Sequence, residues 1–374
     1  MITKEIGLYV HIPYCKRKCN YCDFCSIPSG SFSVPDEYVD RLCEEIRSYK
    51  LEGLSLSTIY FGGGTPSLLE IYQLRAIFAA IRDTFVLLQN AEITLEVNPG
   101  TISDDKVKEY KKLGFNRVSM GLQSIHEKEL KKLGRIHNFA EFVNSYKLIR
   151  ECGIDNINVD LMYGIPHQTS DSFKQTLDSV IDLHPEHISC YGLIVEEGTP
   201  FFAERDSLPL PTLDDECDMY EMACETLSSA GYSHYEISNY SRPGFESRHN
   251  LCYWHSDEYI GVGASAHSYY RKSRFFNTSD IEEYISEKTV NNMMSAELIS
   301  NEDDRYEYAM LALRLSEGFS LKEYYERYGI SFLDGKELVI DRFVNAGLIS
   351  LSDDRISLTE KGFYLSNSIL VEIL

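Results

Sequence analysis

The stretch that decides the fold is CKRKCNYCDFC, residues 15–25, which holds four of the chain's ten cysteines. Structural zinc sites generally use two short ligand pairs separated by a longer loop, and no second pair lies nearby in the sequence. Four unligated thiols so close together would be unusual. Iron–sulfur clusters, in contrast, are held by cysteine thiolates in short, closely spaced runs. The stretch therefore favours an iron–sulfur cluster over a zinc site or free thiols.

The composition and the start of the chain indicate the cellular location of the protein and the redox state of these thiols. No apolar run reaches the roughly 18 residues of a membrane span, and the start of the chain lacks the pattern of a secretion signal. We therefore expect a cytoplasmic protein without a membrane span, in which thiols stay reduced and disulfides are the least expected use of the cysteines. The formal net charge of −22 argues against a nucleic-acid partner, because such binding depends on Lys and Arg neutralising phosphates.

Outward from the cysteines, the first half of the chain alternates between short β-rich runs and longer amphipathic stretches. The predicted strands are 7–13, 57–63, 91–99, 115–124, 156–164 and 186–193, and the predicted helices lie near 36–50, 68–84, 103–113, 138–152 and 171–183. Six β/α repeats indicate an α/β fold with a parallel sheet and right-handed crossovers. The strand pattern alone leaves an open barrel and a doubly wound sheet as alternatives.

Polar residues stand on these predicted strands where a ligand is expected. The cysteines follow the first strand and GGGTP (62–66) the second, Glu96 closes the third, Gln123 closes the fourth, and Asp160 lies on the fifth. Because ligands gather at the carboxyl ends of parallel strands, we expect these residues to form one site. The glycines allow a cofactor to approach the backbone closely. Each carboxylate can accept hydrogen bonds from ribose hydroxyls, although an ordinary ion pair would satisfy it too.

The second half of the chain has a different pattern. A proline-containing linker after residue 200 precedes a helix near 213–229 and a region rich in aromatic residues. From residue 301 the pattern is helices followed by two short strands around Asp353 and Asp354, which suggests a winged-helix module. Its 8 Lys and Arg against 14 Asp and Glu give 8 − 14 = −6, unlike a DNA-reading wing. We predict three parts, 1–200, 201–300 and 301–374.

The spacing Cys15-x3-Cys19-x2-Cys22 resembles the motif of the radical S-adenosylmethionine (SAM) superfamily. The resemblance implies that three thiolates hold three irons of a [4Fe–4S] cluster, leaving the fourth iron open for SAM, and that an electron donor serves the cluster. A fourth thiolate would block the open iron, so Cys25 is expected not to be a ligand. Its alternative role is that of a small thiol buried beside the site.

A wider set of motifs is similar to the oxygen-independent coproporphyrinogen III oxidase family. The set comprises LYVHIPYCKRKCNYCDF, FGGGTPSLL, LEVNPGT, GFNRVSMGLQS, LGRIH and VDLMYGIPHQT. The resemblance covers the chain from about residue 6 onward and implies a partial (β/α)6 barrel, an α+β extension and a C-terminal winged-helix-like domain. It implies SAM contacts at Tyr9, Tyr21, Gly64, Thr65, Glu96, Gln123, Arg135, Asp160 and Ile194.

The family divides into coproporphyrinogen III dehydrogenases and a branch that resembles heme chaperones. The second is favoured because Phe24 gives the ending CDF instead of Cys-x-Cys, and because HNLCYW (249–254) matches the His-Asn-x-x-Tyr-Trp motif of that branch. The start of the motif at Cys15 also leaves no room for the N-terminal extension of the dehydrogenases. The resemblance implies heme as a ligand, with His249 as the first candidate for its iron ligand and Cys252 and His267 as alternatives, and apo-hemoproteins as recipients. A dehydrogenase, or another radical enzyme acting on heme, remains the alternative.

Overall fold

The computed structural model describes residues 4–29, 33–50, 53–286 and 296–374. The strands are β1 Lys4–Ile12, β2 Tyr14–Cys15, β3 Ile27–Pro28, β4 Leu54–Gly63, β5 Val86–Val97, β6 Arg117–Gln123, β7 Asn156–Tyr163, β8 His187–Gly192, β9 Ser233–Glu236, β10 Asn239–Ser241, β11 Tyr259–Val262, β12 His267–Tyr270, β13 Ser273–Phe276, β14 Glu297–Leu298, β15 Phe319–Ser320, β16 Ile349–Leu351 and β17 Arg355–Leu358. The helices are α1 Asp36–Ser48, α2 Ile71–Thr84, α3 Asp104–Leu113, α4 Glu127–Leu133, α5 Phe139–Glu151, α6 Ser170–Ile181, α7 Pro200–Ala203, α8 Leu213–Ser229, α9 Arg248–Trp254, α10 Ile281–Ser286, α11 Asn301–Ala312, α12 Leu321–Tyr328, α13 Glu337–Asn345, α14 Glu360–Tyr364 and α15 Ser366–Ile373.

The centre of the molecule is a run of six parallel strands in the order β1-β4-β5-β6-β7-β8. Each strand lies beside the next one along the chain, so the strand order never reverses. A doubly wound sheet requires such a reversal. The arrangement is therefore the partial (β/α)6 barrel, and of the two alternatives left by the strand pattern the doubly wound sheet is excluded.

Strands from the middle of the chain lengthen this sheet on both sides. The strand β11 pairs in parallel with β1 and continues into antiparallel β12, β13 and β14, while β10 and β9 join antiparallel to β8. This is the expected α+β extension, and it belongs to one twelve-stranded sheet with the barrel. The division at residues 200 and 300 stays a prediction.

The last part of the chain has the expected winged-helix-like architecture. Helices α11, α12 and α13 precede a three-stranded sheet in the order β15-β17-β16. The turn between β16 and β17 contains Asp354, whose carboxylate accepts from the Ser320 hydroxyl at 3.1 Å. Because this bond joins the turn to the start of α12, it secures the wing against the helices.

The strand β6 shows how the barrel separates core from site. Its outward residues Val118, Met120 and Leu122 are fully buried under the surrounding helices. The alternate residues Arg117, Ser119, Gly121 and Gln123 point into the barrel and line its cavity. Successive side chains of a strand face opposite sides, so one short segment supplies both the apolar core and a polar interior. Among the described residues, no helix is both long and apolar enough to cross a membrane.

Candidate cofactor site

A cavity of about 590 Å³ opens at the carboxyl ends of the barrel strands. Most of the predicted site residues line it: Cys15, Cys19, Tyr21, Cys22, Gly64, Thr65, Glu96, Gln123, Arg135, Asp160 and Ile194. Tyr9 and His249 do not line it and lie deeper in the barrel. The volume falls within the usual range for small-molecule sites. Eleven of the residues predicted separately along the chain thus meet at one site.

The cysteine-containing loop is held at both its base and its middle. At the base, β2 pairs with β3, which follows the last cysteine. In the middle, the Asn20 backbone N–H donates to the Leu133 carbonyl at 2.9 Å, and its side-chain amide donates to the Lys132 carbonyl at 2.8 Å. Both carbonyls belong to the end of α4, which the sequence pattern did not predict. This short helix is therefore part of what positions the thiols.

The three predicted ligands face the cavity, whereas the fourth cysteine does not line it. Burial raises the pKa of the Cys15 and Cys22 thiols, so the positive charge of bound iron is what would hold them as thiolates. The Cys25 thiol points to the Ser279 carbonyl at 3.5 Å, and the Cys25 carbonyl accepts from His11 Nε2 at 2.9 Å. The thiol is partly exposed instead of buried, and its exclusion from the ligand set stays a prediction.

Backbone packing explains why residue 64 is a glycine, in addition to the close approach of a cofactor expected from the sequence. A Cβ atom on this residue would lie 2.7 Å from the Tyr14 carbonyl oxygen and 2.9 Å from that of Ile12. The Gly64 N–H donates to the Ile12 carbonyl, and the Thr65 N–H donates to the Tyr14 carbonyl, each at 2.8 Å. The glycine therefore lets the turn after β4 approach the backbone that leads into the cysteines.

The carboxylate of Glu96 is held at the centre of the cavity wall. It accepts from the Tyr60 hydroxyl at 2.9 Å and from the Gly63 N–H at 3.2 Å. Burial, and then the charge of Asp160, raise the pKa of Glu96 to about 8. Its remaining lone pairs face the cavity, where a ligand hydroxyl can donate to them.

Asp160 lies on β7, two strands from Glu96 on β5, and also lines the cavity. Its carboxylate accepts from the Asn158 amide at 2.6 Å and from the Ser119 hydroxyl at 3.4 Å. Burial raises the pKa of Asp160 as well. Two carboxylates in one enclosed space suit a ligand that carries several hydroxyl donors, such as a ribose.

Arg135 and Gln123 supply complementary groups near the thiols. Arg135 donates through Nη2 to the Asn98 amide oxygen at 2.7 Å and to the Gly121 carbonyl at 2.6 Å, and its Nη1 lies 3.7 Å from the Cys19 sulfur. Gln123 has φ of 71° and is 5% exposed, and its Oε1 has no partner among the described residues. A buried acceptor without a donor indicates that a ligand supplies the missing hydrogen bond.

The rim of the cavity carries the two remaining predicted contacts. Tyr21 lies between the second and third cysteines, and burial raises its pKa, so its hydroxyl stays protonated and its ring offers a flat apolar surface. Ile194 is 68% exposed at the mouth. Lys16 and Lys18 also line the mouth and donate to the carbonyls of Gly100 and Phe24.

His249 lies on the amino-terminal side of the barrel interior, away from the cysteine loop. Helix α9 closes this side, and its first N–H groups, at Arg248 and His249, donate to the Glu92 carboxylate at 3.2 and 3.1 Å. The His249 ring is 1% exposed, with Nδ1 at 2.8 Å from the Thr58 hydroxyl and Nε2 at 2.8 Å from the Tyr253 hydroxyl. Burial lowers its pKa to about 3, so the imidazole is neutral.

Tyr9 connects these two regions through stacked rings. Its ring lies 6.2 Å from that of Tyr60, which in turn lies 5.2 Å from the His249 ring. The Tyr9 hydroxyl bonds to His11 Nδ1 at 3.0 Å. Tyr9 therefore supports Tyr60, which does line the cavity, instead of lining it itself.

Several cavity residues were not predicted from the sequence. They are Tyr60, Arg117, Ser119, Asn158, Ser189, Tyr191, Asn239 and Asn250. Counting back in twos from Gln123 would have found Arg117 and Ser119, and the same count from Asp160 would have found Asn158. Asn239 and Asn250 come from the extension, and no local pattern connects them to the barrel.

Comparison with known proteins agrees with this geometry. The family description "Radical SAM superfamily" matches residues 9–180, and "HemN C-terminal domain" matches residues 299–365. The structure of coproporphyrinogen III oxidase (HemN) from Escherichia coli, a radical SAM enzyme, has a TM-score of 0.86, covers 99% of this chain and 90% of that one, and is 24% identical, which shows the fold. The fold and the three-cysteine site are those of a radical SAM protein.

Full-length relatives identify the family within this class. The protein named "Heme chaperone HemW" of Lactococcus lactis is 35% identical over 100% of this chain and 98% of its own length. Proteins of the same name from Bacillus subtilis and Escherichia coli are 36% and 34% identical, over 96% and 98% of this chain and 97% of their own lengths. The chain belongs to the HemW family.

Radical SAM membership implies a [4Fe–4S] cluster and SAM, and the cavity residues fit both groups. Three thiols line the cavity, and Cys25 contacts another segment through the Ser279 carbonyl. The unpartnered Oε1 of Gln123 and the carboxylates of Glu96 and Asp160 offer acceptors for amino and hydroxyl groups. Arg135 supplies a positive charge in the same space.

Proposed function

We propose that this protein is a heme chaperone that binds a [4Fe–4S] cluster through Cys15, Cys19 and Cys22, binds SAM in the barrel cavity, and holds heme for transfer to an apo-hemoprotein. The observation that supports this proposal most directly is the single cavity lined both by these three thiols and by Asn250 of α9. The full-length relatives named as heme chaperones support the same function. Because the cluster needs reduced thiols and an electron donor, the proposed location is the cytoplasm.

Different cavity residues bind different groups of SAM. Gln123 accepts from the amino group, Arg135 pairs with the carboxylate, and Glu96 and Asp160 accept from the ribose hydroxyls. Gly64 and Thr65 present backbone at the same wall, and Tyr21 and Ile194 cover the adenine at the rim. Tyr9 acts through Tyr60, on which it stacks. When bound, the reduced cluster can supply an electron to the sulfonium of SAM.

Helix α9 is the proposed heme-binding element, with His249 as the iron ligand. Burial keeps its imidazole neutral, which is the form that binds heme iron. The Nε2 atom bonds to the Tyr253 hydroxyl, so ligation there exchanges this hydrogen bond for iron. Tyr253 and Trp254, both partly exposed, offer flat apolar surface to a porphyrin.

The proposal is tested with anaerobically reconstituted protein in two assays. Heme is titrated against the fluorescence of Trp254, the only tryptophan of the chain, and the loaded protein is then mixed with an apo-hemoprotein. In parallel, protein, SAM, reductant and coproporphyrinogen III are incubated and analysed for protoporphyrinogen. Quenching followed by heme transfer, without porphyrin product, is the expected result.

Each contrary result would indicate a different function for this protein. Formation of protoporphyrinogen would establish the dehydrogenase and overturn the chaperone function. Loss of heme with release of iron would indicate an enzyme that opens the macrocycle. A variant with Cys15, Cys19 and Cys22 changed to Ser controls for contributions of the cluster to quenching.

A further inference from the structure

The floor of the cavity carries a positive charge without a partner. Arg117, the first residue of β6, is 2% exposed and lines the cavity. Its Nε has no hydrogen-bond partner, and within the described ranges its guanidinium forms no ion pair. A buried charge is normally paired, because its transfer out of water without a partner is strongly unfavourable. The unpaired Arg117 therefore points to a ligand that carries the opposite charge.

The nearby carboxylates do not fill this role. The charge of Arg117 acts on both Glu96 and Asp160, but neither lies within ion-pair distance of it. Glu96 is bonded to Tyr60 and Gly63 instead. Asp160 is likewise bonded to other groups, Asn158 and Ser119. Both carboxylates are thus engaged by other donors, and among the described residues neither forms an ion pair with the guanidinium.

The groups around Arg117 define the kind of anion that fits. A guanidinium presents donors in a planar fork that matches a carboxylate or a phosphate. Asn239 and Asn250 bring side-chain amides to the same cavity, and amide N–H groups can donate to an anion. Any negative charge on Glu96 or Asp160 would disfavour a doubly charged phosphate more than a singly charged carboxylate, and the raised pKa of both groups keeps the repulsion of a carboxylate small. The surroundings favour a carboxylate.

Arg117 also lies on the side of the cavity that faces α9. Its charge helps to lower the pKa of His249 and of His187, after burial, which is the larger cause. A carboxylate held by Arg117 would thus lie near the helix proposed to bind heme. Among the proposed SAM contacts, Arg135 lies beside the thiols, with Nη1 3.7 Å from the Cys19 sulfur.

We propose that Arg117 binds a carboxylate of the ligand in the cavity floor, and, resting on the proposed function, that this carboxylate is a heme propionate. Arg117 then determines ligand specificity: it selects porphyrins with a free propionate over esterified ones. The Arg117 guanidinium is already shielded from solvent at this position and is available to a ligand carboxylate. Replacing it should weaken binding without weakening the fold.

The test compares iron protoporphyrin IX with its dimethyl ester on the cluster-loaded full chain, by quenching of Trp254 fluorescence. The wild type should bind the free acid at least tenfold more tightly than the ester. Arg117→Gln should remove this preference by weakening the free acid alone, and Arg117→Lys should retain part of it. Arg205→Gln, a change of an exposed arginine, is the matched control and should leave the preference intact.

Thermal unfolding of the apoprotein separates binding from a structural role. Because Arg117 has no internal partner, Arg117→Gln should keep or raise the melting temperature, whereas loss of a structural ion pair would lower it. A melting temperature that falls by several degrees would overturn the proposal. So would equal wild-type affinity for the two porphyrins, or a preference that survives in Arg117→Gln.

A porphyrin-independent probe distinguishes this inference from the proposed function. Sodium propionate should raise the melting temperature of the wild type above the effect of equimolar propionamide, and this difference should vanish in Arg117→Gln. If neither porphyrin binds but propionate acts in this way, heme binding fails while the carboxylate site stands. If propionate and propionamide act alike on the wild type, the carboxylate site is overturned.

Discussion

The Nη1 atom of Arg135 lies 3.7 Å from the sulfur of Cys19, while the other arm of the same guanidinium bonds to Asn98 and to the Gly121 carbonyl. One side chain thus joins the cysteine loop to the barrel wall beside the cavity. Because the two residues are 116 positions apart in the chain, the link between the predicted cluster and the predicted SAM site is made by tertiary structure.

Arg135→Gln should weaken SAM binding by roughly 10- to 100-fold, the value of one or two charge-assisted hydrogen bonds. The cluster should remain, because the sulfur contact is long and the thiols are anchored by other bonds. Equilibrium binding of SAM and iron content measure the two effects. Arg75→Gln, which removes an exposed arginine paired with Glu109, is the control. Unchanged SAM affinity in Arg135→Gln would exclude the assigned contact.

Single changes of Cys15, Cys19 or Cys22 to Ser should abolish the [4Fe–4S] cluster, whereas Cys25→Ser should retain it. The reason is that Cys25 faces the Ser279 carbonyl and does not line the cavity. Iron content and the visible absorption of the reconstituted proteins measure the outcome. Loss of the cluster in Cys25→Ser would show that the fourth thiol takes part.

Gly64→Ala should lower stability by about 1–3 kcal/mol, as overpacking of a tight site does, and should also lower iron occupancy. The added Cβ would meet the carbonyl oxygens of Tyr14 and Ile12, which lie on the backbone leading into Cys15. Denaturant unfolding of the apoprotein and iron content after reconstitution measure the two effects. An apoprotein of normal stability with full iron occupancy would contradict this role of the glycine.

The pH dependence of stability should depend on Glu96. Its folded pKa of about 8 lies above the ordinary carboxyl value, so between these values the folded state binds a proton that the unfolded state has lost. The free energy of unfolding should therefore fall as pH rises toward 8. Glu96→Gln should flatten this slope in denaturant unfolding of the apoprotein.

Glu109→Gln is the control for this dependence. The ion pair with Arg75 lowers the pKa of Glu109, so its contribution is present at neutral pH and is lost as pH falls through the acidic range. Its removal should leave the slope between pH 5 and 8 unchanged. A slope of the same size in Glu96→Gln and wild type would show that Glu96 is not the group responsible.

Tyr253→Phe should strengthen heme binding if iron takes the position that the Tyr253 hydroxyl now occupies at His249 Nε2. His249→Ala should weaken it, and the iron absorption bands should change. Thr58→Val removes the bond at the other ring nitrogen, Nδ1, and serves as the comparison. Heme titration with absorption spectroscopy measures all three. Identical spectra for wild type and His249→Ala would exclude His249 as the ligand.

Local sequence patterns predicted the six barrel strands, five of their helices and the wing, because alternation, amphipathic periodicity and capping act over a few residues. The Ser103 hydroxyl, for example, caps the predicted helix α3 by accepting from the Lys106 N–H. The helix α4 was missed because its seven residues, EKELKKL, are too short and too charged to show an apolar face.

The sequence by itself determined the chemistry of the entrance to the site: three thiols at a defined spacing, and carboxylates on the third and fifth strands of a parallel sheet. A parallel sheet brings the carboxyl ends of its strands together whatever the details of packing. Only the tertiary structure decided what forms the floor. Helix α9 closes the barrel because Glu92 and Thr58 bond to His249 and because Asn250 reaches the cavity. Among the described residues, Arg117 has no ion-pair partner there. Contacts between such distant parts of the chain leave no pattern in the local sequence.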